Sequence, residues 1–220
     1  MSAQTEHGRL LAHAARARLR PLGVVQKGRS RGWRDDRGWW TINIEFQPSS
    51  WGRGSYLNFG VQYLWERRDF VTLGIRDQEF VEFESPDQFA SQADRLATRA
   101  ADFIVARRTA LSDMSAHAAA LEESDNLWAA FSAGIARGLL GERQHAHGHL
   151  MEVLAVDSHA PWVDDAKHSA EQVMERLGDA LALERWVLRE VVATRELQRL
   201  PLAPDLTDRL RRALAIHRTS

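Results

Sequence analysis

Three groups of side chains in this sequence have the types and spacing to do chemistry. The first is His145, His147 and His149, within ERQHAHGHLME. On a helix His145 and His149 lie one turn apart, and Glu142 and Glu152 extend that stripe by three residues each way. Imidazoles and carboxylates so arranged ligate zinc or a similar ion, but a site needs three or four convergent ligands. The sequence supplies no HExxH and no distant third ligand, so a polar helix face is expected, with His145 and His149 as the metal candidates. The second group is Lys27, Arg29, Arg31 and Arg34 around Trp33, flanked by Arg16, Arg18, Arg20, Arg37 and Trp39. Interleaved arginine and aromatic residues hold phosphates and stack bases. The competing reading is a solvated surface whose arginines pair with acidic helices.

The third group lies on a ribbon. WWTINIEFQ (residues 39–47) and SYLNFGVQYL (residues 55–64) alternate apolar and polar residues around PSSWGRG, the pattern of two antiparallel strands. A period of two puts Trp40, Ile42, Ile44 and Phe46 on one face, and Trp39, Thr41, Asn43, Glu45 and Gln47 on the other. Asn43, Glu45, Gln47, Asn58 and Gln62, with Trp51 and Arg53 on the connecting loop, form the preferred binding surface. The alternatives are an ordinary wet face, or a covered face whose amides bond internally. No catalytic residue is nominated. Asp35-Asp36, Glu122-Glu123 and Asp164-Asp165 are adjacent, and adjacent helical residues do not face one another. GxSxG, P-loop, GxGxxG and kinase signatures are absent, and no cofactor is expected.

The elements that must position these groups are legible in outline. Residues 5–20 read as a helix stopped by Pro21 and Gly23. Val24 and Val25 begin a short strand, Trp33 and Arg34 a second, and Asp35 to Gly38 turn into the ribbon. Trp65 to Asp69 reads as a polar connection. Residues 70–76 and 80–83 are β-branched and aromatic, fit to extend the sheet. From Ser85 onward Ala, Leu, Glu and Arg dominate. Helices are expected over 87–108, 114–123, 125–140, 143–156, 162–180, 182–199 and 205–217. Trp128, Trp162 and Trp186 are expected to anchor their packing. The fold class is therefore α+β: an N-terminal helix plus an antiparallel β-meander over residues 1–110, then an all-helical segment over 111–220 packed against it. Gly134, Gly141, Ala146, Leu150 and Leu154 fall at spacings similar to a tetratricopeptide helical hairpin, with no clear second unit.

Composition bounds the rest. An apolar fraction of 44% supports a real core. The net charge of -1 conceals an asymmetry, since residues 1–60 hold ten Arg/Lys against four acids. With no cysteine, disulfides and thiolate chemistry are excluded. No apolar run approaches the roughly 20 residues of a membrane helix, and the N-terminus lacks a signal-peptide pattern. A cytoplasmic protein with no membrane partner is expected.

Residues 19–63 carry a resemblance. Leu19-Arg20-Pro21-Leu22-Gly23, Lys27-Gly28-Arg29, Trp33, Trp40, Ile42-Asn43, Gln47, Ser50-Trp51-Gly52 and Tyr56-Leu57-Asn58-Phe59-Gly60-Val61 occur in an order similar to the domain-of-unknown-function family 4304. That family is uncharacterised and mostly bacterial, and the likeness extends over about residues 5–110. It implies a small α+β domain and carries no established activity. This chain departs from the pattern at Val24 and Glu45, and no catalytic residue carries over. The function expected is a non-enzymatic protein-interaction module of a bacterial protein, in a toxin-immunity or defence setting by analogy. The alternative is a binder of, or enzyme on, a phosphate-bearing ligand or nucleic acid through Lys27, Arg29, Arg31 and Arg34.

Overall fold

Pro21 cannot continue a helix and Gly23 can turn left-handed, so the chain reverses after its first helix. In the computed structural model, which describes residues 6–49, 52–76 and 80–215, α1 spans Glu6–Leu19 and a 3-10 turn spans Arg20–Leu22. Gly23 follows at φ 77°, its N–H donating to the Arg20 carbonyl at 2.9 Å. Six strands come next or soon after: β1 (Val25–Gln26), β2 (Gly32–Asp36), β3 (Trp40–Pro48), β4 (Gly54–Tyr63), β5 (Ile75–Arg76) and β6 (Val81–Glu82). Their order is β1-β2-β3-β4-β5, with β6 also on β4. β1 with β2, β2 with β3, and β4 with both β5 and β6 pair antiparallel. Helices follow: α2 (Pro86–Ala110), α3 (Met114–Glu122), α4 (Leu127–Leu139), α5 (Arg143–Leu154), α6 (Pro161–Met174), α7 (Ala180–Leu197) and α8 (Leu206–Ala215). This is the expected α+β architecture.

The chain divides into two compact units: residues 1–62 with 70–109, and residues 63–69 with 110–220. In the first unit, Trp33 pairs with Ile44 and Asp35 with Ile42, so one sheet face carries Trp33, Ile42, Ile44 and Phe46, each 3% exposed or less. Helix α2 lies over that face. Phe103 stacks on Phe59 at 4.4 Å, and Phe89, Ala93, Leu96, Ala97 and Ala100 are fully buried. An acid on this oily face needs a partner. Arg108 Nε and Nη2 donate to the Asp35 carboxylate at 2.9 and 2.8 Å, and Nη2 also donates to the Leu22 carbonyl at 2.8 Å. Arg108→Ala is expected to cost about 2 kcal/mol, below the usual penalty for stranding a buried charge because the Arg108 side chain is a quarter exposed. Urea denaturation checks this, and a loss under about 0.5 kcal/mol would make the pair incidental.

The opposite face differs from a wet surface. Trp39, Thr41 and Asn43 are each 2% exposed or less. Arg34 Nε donates to Asn43 Oδ1 at 3.1 Å, and Asn43 Nδ2 donates to Thr41 Oγ1 at 3.0 Å. Asn58 Nδ2 donates to Gln47 Oε1 at 2.8 Å and to Glu45 Oε2 at 3.3 Å, and Gln62 Nε2 to the Phe70 carbonyl at 3.0 Å. Residues 70–74 cross this face as a strap. They pass so close to Gly60 that a Cβ there would sit 2.2 Å from the Thr72 carbonyl oxygen. The apolar 70–76 segment thus covers polar residues, and only its last two residues join the sheet.

In the second unit, Asp113, Asn126 and Asp179 cap α3, α4 and α7 through backbone N–H groups at 2.9 to 3.0 Å. A Cβ at Gly134 would meet Leu150 Cγ at 2.8 Å, so α4 and α5 approach closely at this glycine. Of the expected polar connection at 65–69, only Arg67 and Asp69 face solvent. Leu64–Glu66 forms a 3-10 turn, Leu64 and Trp65 are at most 1% exposed, and the turn packs on α4 and α7. Of the three helical tryptophans, Trp186 is buried, Trp128 is half-buried, and Trp162 is 53% exposed with its ring stacked on Trp128.

Candidate functional site

The β1–β2 turn carries two cations on a backbone fixed by its own hydrogen bonds. Gly28 takes φ 57°, a conformation that costs other residues energy. Ser30 Oγ donates to the Lys27 carbonyl at 2.6 Å and accepts from the Gly32 N–H at 3.1 Å, while Gln26 Nε2 donates to the Ser30 carbonyl at 2.7 Å. Lys27 and Arg29 project from this turn into solvent. Neither has a carboxylate partner among the described residues, whereas Arg18, Arg108 and Arg137 are committed to Asp94, Asp35 and Glu122.

Beside the turn lies a half-open cleft of about 380 Å³. Lys27, Arg29 and Arg34 supply positive charge, Asn43 and Glu45 polar groups, and Val71 and Leu73 the apolar lining. Arg34, 9% exposed, is oriented by its bond to Asn43. The cleft therefore joins three residues of the basic group to two of the ribbon surface. Arg31 is not among them. It lines a smaller crevice of about 30 Å³ with Gly8 and Leu11 of α1, where its Nη1 has no hydrogen-bond partner and burial lowers its pKa. His7 is held below the ordinary imidazole range first by burial, then by the charges of Arg31 and Arg53.

The other ribbon candidates fall elsewhere. Gln47, Asn58 and Gln62 are engaged in the bonds described above, and Arg53 is exposed on the loop before β4. Trp51 lies outside the described residues. The sequence reading did not select Val71 and Leu73, although alternation in FVTLG was a usable signal for two side chains on one side of an extended strap.

The histidine stripe has the geometry expected of α5 and a different use. His149 Nε2 lies 3.0 Å from Glu122 Oε1 and His145 Nδ1 3.5 Å from Glu142 Oε2. Both carboxylates are claimed by Arg137, which bonds Glu122 through Nε and Nη2 at 2.7 Å and Glu142 through Nη1 at 2.8 Å. Those Arg137 bonds, helped by His149, pull the Glu122 carboxyl down to about 2. Among the described residues no three His, Asp or Glu side chains converge on a point where a metal ion would sit. Nor is any described helix long and apolar enough to cross a membrane. No family model, curated protein or solved structure matches this chain.

Proposed function

We propose that this protein is a non-enzymatic interaction module whose cleft receives an acidic segment of a partner protein. The observation that carries this reading is the pair Lys27 and Arg29, exposed, uncommitted and fixed on a rigid turn above an apolar-lined hollow. A turn backbone already fixed by its own hydrogen bonds need not be ordered on binding, and apolar lining favours a segment that interleaves a leucine or valine with its carboxylates. The charge of the first unit agrees, with fifteen Arg/Lys against eleven Asp/Glu. Glu45 at the cleft wall sets a local repulsion that selects where the ligand's carboxylates lie.

The test is fluorescence polarisation with a labelled peptide of aspartates flanking one leucine. Binding should weaken with added salt. Lys27→Glu with Arg29→Glu should weaken it at least about tenfold while leaving the melting temperature unchanged, because both side chains are solvated. Equal affinity in the double variant would remove the cleft from the account. A second reading has one observation in its favour: the cleft volume falls in the range of small-ligand sites. A phosphate-bearing small molecule would then stabilise the wild type in a thermal-shift screen and lose that effect in Arg29→Ala.

A further inference from the structure

Glu66 is a carboxylate placed where carboxylates are expensive. Its side chain is 8% exposed, on the finger of residues 63–69. Ser132 on α4, fully buried, accepts from Trp65 Nε1 at 3.0 Å. Its single hydrogen is therefore free to go to Glu66 Oε1, also 3.0 Å away. That bond survives whether Glu66 is charged or neutral, so a proton on Glu66 belongs on Oε2. Arg68 Nη2 stands 3.3 Å from Oε2, with the guanidinium carbon 4.0 Å above the Trp128 ring. The other charged or titratable groups around the finger are turned to other partners. From α7, Glu190 meets Arg67 at 3.5 Å and Arg189 at 3.2 Å, and Arg195 donates to the Pro201 carbonyl at 2.6 Å. From α3, His117 meets Tyr63 Oη at 3.0 Å. Gln198 holds the Arg68 carbonyl at 3.0 Å.

We propose that Glu66 is a proton latch: neutral, it keeps the 63–69 finger seated among α4 and α7, and ionised, it loosens that finger. Burial outweighs the Arg68 charge and the Ser132 bond and raises the carboxyl from 4.5 to about 7. The seated finger thus holds a proton that the released finger gives up. Between those two values the seated state binds more protons, so its advantage declines as pH rises and levels off above the upper value. His117 has the opposite sign. Burial lowers it from 6.5 to about 3, so its contribution is lost as pH falls below 6.5. Above that value Glu66 acts alone of the two.

Hydrogen exchange of the full chain, followed in the peptide spanning 63–69 at about pH 6 and about pH 8 and corrected for intrinsic rates, reads the opening equilibrium. Opening should rise about twofold across that interval: the Glu66 difference alone requires about tenfold, and His117, titrating below 6.5, offsets about fourfold of it. Glu66→Gln should abolish the rise. Ser132→Ala, which removes a bond favouring the ionised form, should move it to higher pH, and this variant retains the carboxyl should Glu66→Gln fold poorly. Equal opening at both pH values in the wild type, a rise that persists in Glu66→Gln, or a midpoint unmoved in Ser132→Ala would each overturn the proposal.

Discussion

Gly60→Ala is expected to lower stability by about 3 kcal/mol and to weaken peptide capture by the cleft in the molecules that still fold. The added methyl carbon would stand 2.2 Å from the Thr72 carbonyl oxygen, 2.9 Å from Leu73 Cα and 3.0 Å from the Thr72 carbonyl carbon. All three are backbone atoms, so no side-chain rotation relieves the overlap. The strap must retreat, and Val71 and Leu73 on it line the cleft. Gly74→Ala is the matched control, because a Cβ there meets nothing within 4 Å. It should fall within about 0.5 kcal/mol of wild type and bind as well. Urea denaturation measures the first effect and polarisation the second. A Gly60→Ala protein with an unchanged midpoint would mean that the strap does not press on β4.

The larger loss is expected from Trp65→Ala, about 4 kcal/mol. Its ring is 1% exposed and stacks on Tyr63 at 5.0 Å with an interplanar angle of 17°. Removing it leaves a cavity against α4 and deprives the fully buried Ser132 hydroxyl of a donor. Trp65→Phe separates these contributions. It restores much of the volume but not the indole N–H, and should cost about 1 kcal/mol for the missing hydrogen bond plus a smaller packing loss. Chemical denaturation of both variants checks the pair of values. Equal losses for alanine and phenylalanine would assign the whole effect to the hydrogen bond and none to packing.

Local chemistry carried most of the legible structure. Pro21 and Gly23 stop α1, the period of two sorts Ile42 and Ile44 from Asn43, and the capping residue Asp113 starts α3 where expected. The histidine spacing on α5 was also legible, and His145 and His149 do share a stripe with Glu142 and Glu152. What the spacing lacked was Arg137, on another helix, which takes up the carboxylates a metal would need. The same holds for the ribbon. Alternation separates its faces, but whether the polar face meets water depends on a strap that returns from ten or more residues away.

Read alone, the chain determined its element types, its α+β class and the sidedness of the tryptophan-rich ribbon, because these follow from backbone preferences and repeats of a few residues. Tertiary structure alone decided that Lys27, Arg29 and Arg34 border one hollow while Arg31 enters another, and that Trp65, Glu66 and Arg68 turn in among helices while Arg67 stays in solvent. The physical reason is desolvation. Residue type sets how a side chain titrates and bonds in water, whereas neighbours distant in sequence decide whether water is there.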